Sequence, residues 1–204
     1  MTHLKLSARL NAIVFPKMKR NLLFALISLG IISVGCAKLE TEPTSRLNII
    51  EKRGTLKCGV SGKIPGFSYL TSSGNYEGLD IDLCKAFAAA ILGDPEKVIY
   101  RPLTAPERFT ALKTGEIDIL SRNTTQNLSR DAYGGNGVTF GPVIFHDGQA
   151  LMVKKSSGIK KIEDLKNKNI CVGSGTTTEQ NLNDTFEERE IKYTPIKYQD
   201  LNQV

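Results

Sequence analysis

The chain of 204 residues holds two histidines, His3 and His146, and four cysteines with no Cys-x-x-Cys spacing. Neither residue type recurs at the intervals that hold zinc or another metal, so no metal site and no cofactor is expected. The apolar run Leu22–Val34 has 13 residues, short of the ~20 that cross a membrane as a helix. The turn G-S-G-T-T-T at 173–178 has no P-loop lysine, and Gly173-x-Gly175 is missing the further glycine of a dinucleotide fingerprint. Internal repeats and low-complexity tracts are missing too.

Positive charge is scarcer than the total suggests. Lys and Arg number 27 against 21 Asp and Glu, a formal charge of +6, yet Lys5, Arg9, Lys17, Lys19 and Arg20 all precede residue 36, where no acid occurs. Without those five the balance is 22 − 21 = +1. No basic stripe remains for a nucleic-acid partner. The lysines at 154, 155, 160, 161, 166 and 168 are read as the solvated face of a loop and short helix. A basic start, a short apolar run and a small residue before Cys36 describe a secretory signal over residues 1–35. Met18-Lys19-Arg20 offers a second start besides Met1. The stretch I-S-V-G-C-A around Cys36 resembles the lipobox of bacterial lipoproteins, with Ser33 where that pattern has Leu. It implies cleavage before Cys36 and lipidation there, which would anchor the protein at the outer face of a bacterial membrane. An ordinary signal containing a cysteine stays open, and both readings export the protein.

The remainder reads as an α/β protein. Residues 36–46 form a polar tether. A short helix spans 47–53, with Thr44 or Ser45 as cap and Gly54 at its end. Strand 55–60 leads into a loop rich in Gly, Pro and Ser at 61–78. The clearest helix is Asp80–Leu92, with Leu79, Leu83, Phe87 and Ile91 at helical spacing and Gly93-Asp94-Pro95 as its stop. Strand 98–101, a Thr104–Glu107 capping box, a helix to Gly115 and strand 117–120 complete a β-α-β-α-β order, which argues for a parallel sheet with helices on its faces. Residues 137–155 read as extended. A second cycle follows: a short helix at 162–166, strand 170–172, helix 178–189 and strand 192–198. Two strands and one full helix cover a sheet poorly, so the second unit is expected to be partial and the protein truncated at its C-terminal end. Cys58 in a strand and Cys84 in the next helix are close enough to permit a disulfide in an oxidising compartment. Cys171 reads as a buried small hydrophobe.

The chemistry concentrates in two loops. Asp118–Arg130 (D-I-L-S-R-N-T-T-Q-N-L-S-R) runs from a strand into hydroxyls, amides and a guanidinium, which suits a carboxylate. Val172–Gln180 (V-G-S-G-T-T-T-E-Q) has the same form, and its amides and helix dipole point at an anion.

With these pieces placed, the chain resembles the polar and general L-amino-acid-binding proteins of bacterial ABC importers. The carriers are L-K-C-G-V-S-G-K-I-P-G-F-S (56–68), G-L-D-I-D-L-C-K-A-F-A-A-A (78–90), F-T-A-L-K-T-G-E-I-D-I-L-S-R-N-T-T (109–125), F-H-D-G-Q-A-L-M-V (145–153) and I-C-V-G-S-G-T-T-T-E-Q-N-L (170–182). The resemblance implies a periplasmic-binding-protein-like two-lobed fold, lobe 1 at 47–148, a hinge strand at 149–154 and a partial lobe 2 at 155–204. It implies a monomer that captures an amino acid in the periplasm and delivers it to a membrane permease. Arg130 matches the arginine that clamps the α-carboxylate, with Thr125 as hydroxyl donor and Asn123 beside it. Gly175, Thr176 and Thr177 match the turn that meets the same carboxylate from the second lobe. Phe67 is the candidate aromatic against the ligand, or plain core. The family's late carboxylate for the ligand ammonium has no match, and Asp200 is not assigned that role, so this chain is expected to bind weakly or not at all. The alternatives are a periplasmic enzyme on the same fold, of the cyclohexadienyl dehydratase kind, or a shortened protein without function. Chemistry of that kind needs a general acid or base, and the two loops offer only Glu179, read as support for its helix.

Overall fold

The computed structural model of the chain describes residues 45–131, 136–200 and 203–204. The signal expected over residues 1–35, Cys36 and all but the last residues of the expected tether lie outside the described residues. No helix among the described residues is long and apolar enough to cross a membrane.

Helix α1 (Arg46–Arg53) opens at Ser45, whose hydroxyl accepts from the Asn48 N–H at 3.2 Å, and closes at Gly54 in the left-handed region. The structure thus selects Ser45 from the two caps the sequence offers. Strand β1 (Leu56–Val60) follows. After it, three short antiparallel strands, β2 (Lys63–Ile64), β3 (Ser68–Leu70) and β4 (Tyr76–Glu77), fill the span expected to be loop. The Thr71 N–H to Asn75 carbonyl bond of 2.8 Å closes the second hairpin, and Gly66 and Gly74 supply the positive φ that the two turns require.

Helix α2 (Leu79–Leu92), strand β5 (Val98–Pro102), helix α3 (Arg108–Thr114) and strand β6 (Ile119–Leu120) build the main sheet. Its order is β5-β1-β6, parallel throughout, with Cys58 opposite both Tyr100 and Ile119. β1 is central and nearly all of it is buried. Gly59 is required by packing, because a Cβ there would stand 2.6 Å from Ile117 Cδ1 and 3.0 Å from Leu103 Cδ1.

The α2 core face differs from the sequence reading. Ile81, Cys84 and Ala88 are buried against Cys58, Val60, Ile50 and Leu56, whereas Leu79 and Phe87 are exposed. Small Cys84 and Ala88 let the helix approach β1 closely, and this lands Cys84 on Cys58, to which it is disulfide-bonded. Sequence spacing alone marked a stripe shifted round the helix, since Leu and Phe outrank Cys and Ala in hydrophobic weight.

Helix α4 (Leu128–Asp131) follows β6. Residues 138–154 then form no helix or ladder, so the expected strand at 149–154 is not formed; a strand needs a paired neighbour, and none of the described strands takes it up. Two 3₁₀ turns, Lys155–Ser157 and Ile162–Leu165, lead to strand β7 (Asn169–Gly173), helix α5 (Thr177–Glu188) and strand β8 (Thr194–Tyr198), which pairs parallel with β7. Leu165, Ile170, Val172, Leu182, Phe186 and Ile191 form the core of this unit. Because α5 covers one face of the two-stranded sheet, Cys171 on the other face is exposed, contrary to its expected burial.

Candidate ligand-binding cleft

A cleft of about 810 Å³ opens between the carboxyl end of β6 and the β7–α5 turn, within the size range of small-molecule sites. Asn123, Thr125 and Arg130 line one side, Thr176, Thr177 and Thr178 the other, and the irregular segment 149–154 completes the wall.

Each group is placed by its local fold. β1 pairs β6 in parallel, so β6 delivers Ser121 and Arg122 to the sheet's ligand end. Asn127 then turns the backbone into α4: its Oδ1 accepts the Arg130 N–H at 3.1 Å and the Ser129 hydroxyl at 3.0 Å. That turn brings Arg130 back to the loop it left, where its Nη1 donates to the Thr125 carbonyl at 2.6 Å. The guanidinium lies 5.3 Å from the centre of the Phe109 ring, and burial pushes its pKa down.

On the other side Thr176 caps α5. Its hydroxyl accepts from the Glu179 N–H at 3.0 Å and donates to the Gly173 carbonyl at 2.7 Å. Glu179 reaches back to the Gly175 N–H at 2.8 Å and pairs with Lys197 at 2.7 Å, contacts that hold its carboxyl below the usual range. Glu179 therefore closes a capping arrangement, in accord with the sequence reading. Two expectations change as a result. The Thr176 hydroxyl and the Gly175 amide are committed to the turn, and Gly175 does not line the cleft. What remains for an anion is the Thr177 hydroxyl with the Thr177 and Thr178 amides, which have no acceptor within the helix.

The two sides meet directly: the Thr125 and Thr177 hydroxyls lie 3.0 Å apart. Phe67 is not among the groups lining the cleft; it is half-buried, and its ring stands edge-on to the exposed Phe145 with centres 4.9 Å apart. Asp200 pairs with Lys63. Asp147 lines the cleft and is exposed.

Sequence reasoning assigned no part to two further cations. Arg108 is 2% exposed and Arg122 6%. Arg108 Nη2 donates to the Gly175 carbonyl at 3.2 Å, its Nε is buried without a partner, and its guanidinium stacks on Phe109 at 5.0 Å. Arg122 donates through Nε to the Leu103 carbonyl and through Nη1 to Asn123 Oδ1, both at 3.2 Å. Burial pulls the Arg108 pKa down to about 9, with the Arg122 and Arg130 charges adding to the effect. Burial lowers that of Arg122 too, against the pull of Asp80. Arginine stays protonated at neutral pH, so these shifts express the cost of holding three cations together out of water. A signal for Arg108 was present: it is the first residue of α3, where a cation opposes the helix dipole.

The chain is 43% identical over 187 residues to the general L-amino acid-binding periplasmic protein AapJ of Rhizobium johnstonii, covering 92% of this chain and 53% of that one. It is 42% identical over 183 residues to the glutamate/glutamine/aspartate/asparagine-binding protein BztA of Rhodobacter capsulatus, covering 90% and 52%. A solved periplasmic binding protein of an ABC transporter from Brucella ovis, with glutathione bound, superposes with a TM-score of 0.71 at 39% identity, over 79% of this chain and 50% of that one. The chain therefore spans about half the length of the curated relatives it matches. Residues 56–199 match the bacterial extracellular solute-binding proteins, family 3, and the chain belongs to that family, with the α/β fold of periplasmic amino-acid-binding proteins.

Proposed function

We propose that this chain belongs to the solute-binding component of a bacterial amino-acid ABC importer and receives the ligand's α-carboxylate between Arg130 and the start of α5. The observation that carries this is the convergence of Thr125 and Thr177, 3.0 Å apart, at a cleft walled by the buried Arg130. A carboxylate inserted between the two hydroxyls would accept from both, from the Arg130 guanidinium and from the Thr177 and Thr178 amides. Asn123 stands beside that position, held by Arg122. In this reading residues 47–148 and 155–204 act as two lobes joined through 149–154, and closure about that link carries the ligand toward a membrane permease. The relatives' names support a periplasmic setting, in which the protein would act as a monomer held through lipid on Cys36. They also favour binding over the dehydratase alternative.

The test is an NMR titration of the chain with polar L-amino acids, followed at the Thr125, Thr177 and Thr178 amides. Saturable shifts at all three are expected. Arg130→Ala should weaken binding roughly 30- to 100-fold, the loss of a charge-assisted pair of hydrogen bonds. An Arg130→Ala variant that titrates like the parent would remove Arg130 from the site.

A further inference from the structure

Two buried charges of opposite sign lie at the ligand end of the main sheet. Asp80, 2% exposed, stands in the first turn of α2, and Arg122, 6% exposed, follows β6. β1, β5 and β6 run parallel, and a helix that connects parallel strands starts at the end where those strands finish. The fold itself thus brings the start of α2 and the exit of β6 to one edge. Ser68 ties Asp80 there. Its hydroxyl accepts from the Ser61 and Gly62 N–H groups, just past β1, at 3.0 and 3.1 Å, which leaves its proton for the Asp80 carboxylate. The Asp80 N–H donates to the Phe67 carbonyl at 2.8 Å. The Ser121 N–H donates to the Gly59 carbonyl at 2.9 Å, which fixes the exit of β6 against the same central strand. Asp80 Oδ2 is buried without a hydrogen-bond partner among the described residues. In an interior of low dielectric its charge acts on Arg122 without direct contact, whereas Arg130 repels Arg122. Arg122 in turn donates to Asn123 Oδ1, so it is the group that holds Asn123 at the cleft wall.

Resting on the carboxylate-receiving reading, we propose that Asp80 is a positioning residue for ligand capture: its negative charge holds Arg122, and through it Asn123, at the cleft against the repulsion of Arg130. Asp80 does not line the cleft, so it acts on the ligand only through these groups. Its charge is costly to bury, and desolvation pushes its pKa up to about 6 against the pull of Arg122 and the Ser68 hydroxyl. The charge is therefore present at neutral pH and lost as pH falls through about 6. Arg122 from the strand-end loop and Ser68 from β3 are the groups that act on it. On α2 itself Asp82 is exposed and Lys85 is paired with Glu96, while Arg108 of α3 and Arg130 of α4 act on Arg122. Two effects of removing the Asp80 charge have opposite signs. A cleft that merely lost a nearby negative charge would take a carboxylate more tightly. A cleft whose Arg122 and Asn123 had moved would take it less tightly, and the positioning role requires the second.

The experiment titrates the full chain with L-glutamine by NMR at about pH 7.5 and about pH 5, following the Asn123, Thr125 and Thr177 amides. It is run on the parent, on Asp80→Asn, and on Arg122→Gln with and without Asp80→Asn. Near neutral pH, Asp80→Asn should bind roughly tenfold more weakly than the parent. The parent should lose roughly fivefold in affinity at the lower pH, and Asp80→Asn should show no comparable loss. Every other titrating group is common to both proteins and cancels in that comparison. In the Arg122→Gln background, Asp80→Asn should change the affinity by less than about twofold, because the group it acts through is gone. If Asp80→Asn loses the dispersed spectrum of a folded protein, the pH profile of Arg122→Gln decides, and it should be flat where that of the parent falls. An Asp80→Asn variant that binds as tightly as the parent, or more tightly, overturns the proposal and leaves the carboxylate-receiving site standing. A loss that persists undiminished in the Arg122→Gln background does the same. Absence of any shift at Thr125 and Thr177 in the parent removes the site itself and the proposal with it.

Discussion

At the scale of single residues, burial of charge separates what the sequence showed from what it hid. Arg130, Thr125 and Thr177 were readable because each follows a strand in a loop of hydroxyls and amides, and the structure brings all three to one cleft. Arg122 was not, because nothing in the order of residues says that a cation at a strand end will be buried, and for Arg108 the one signal was its unfavourable place as a cation at the start of α3. Asp80 is hidden in the same way. It is 2% exposed, and burial raises its pKa to about 6 against the opposing pull of Arg122 and the Ser68 hydroxyl. A carboxyl whose folded pKa lies above the unfolded value of 3.8 favours folding fully below that value, where both states hold the proton. The benefit is lost as pH rises from about 4 through about 6, by about 3 kcal/mol at most. Glu107, Asp164 and Glu179 are shifted down by their hydrogen bonds and work in the opposite direction at lower pH. The difference between the parent and Asp80→Asn therefore isolates Asp80. Denaturant unfolding from pH 4 to 7 should show the variant gaining on the parent as pH rises, and a constant difference would refute the burial argument.

At the scale of elements, helices with explicit start and stop residues came through the sequence well. α1 is bounded by Ser45 and Gly54, and α3 ends at Gly115, as those residues dictate, but α3 begins only at Arg108, because the Thr104–Glu107 contacts close a turn ahead of the helix. α5 begins one residue earlier than expected, because Thr176 itself is the cap. The short strands β2 to β4 were missed since each has only two or three residues, below the length at which alternation can be recognised. The register of the α2 core face was missed because the face is made of small residues, whose value lies in close approach rather than in area. The cap of α5 carries both stability and function. Thr176→Ala removes a hydroxyl that accepts from Glu179 and donates to Gly173. It should cost about 1 kcal/mol in denaturant unfolding. Hydrogen exchange should then quicken first at the Glu179 and Gln180 amides, and unchanged protection there would mean that the turn is held by other contacts.

At the scale of the whole molecule, the described residues have two separate sources of cohesion. The β5-β1-β6 sheet is backed by α2 and stapled through Cys58 and Cys84, whereas the β7–β8 pair rests on one helix and a six-residue core. Between them run polar contacts rather than a shared apolar core: Arg108 to the Gly175 carbonyl, Thr125 to Thr177, Gln149 to the Thr178 carbonyl, and Lys63 to Asp200. Contacts of that kind are individually weak and partly exposed, so the two parts should lose structure separately. The disulfide closes a sequence separation of 26 residues, for which loop-closure entropy suggests a contribution of about 3 kcal/mol. A double Cys58→Ala, Cys84→Ala variant should therefore lose that amount from the global exchange protection of β1 and α2, while α5 and β7 keep nearly all of theirs. Equal losses in both regions would show that the polar bridges bind the parts into one cooperative unit. In that case the cleft could not open without unfolding, which is the opposite of what a ligand caught between two moving parts requires.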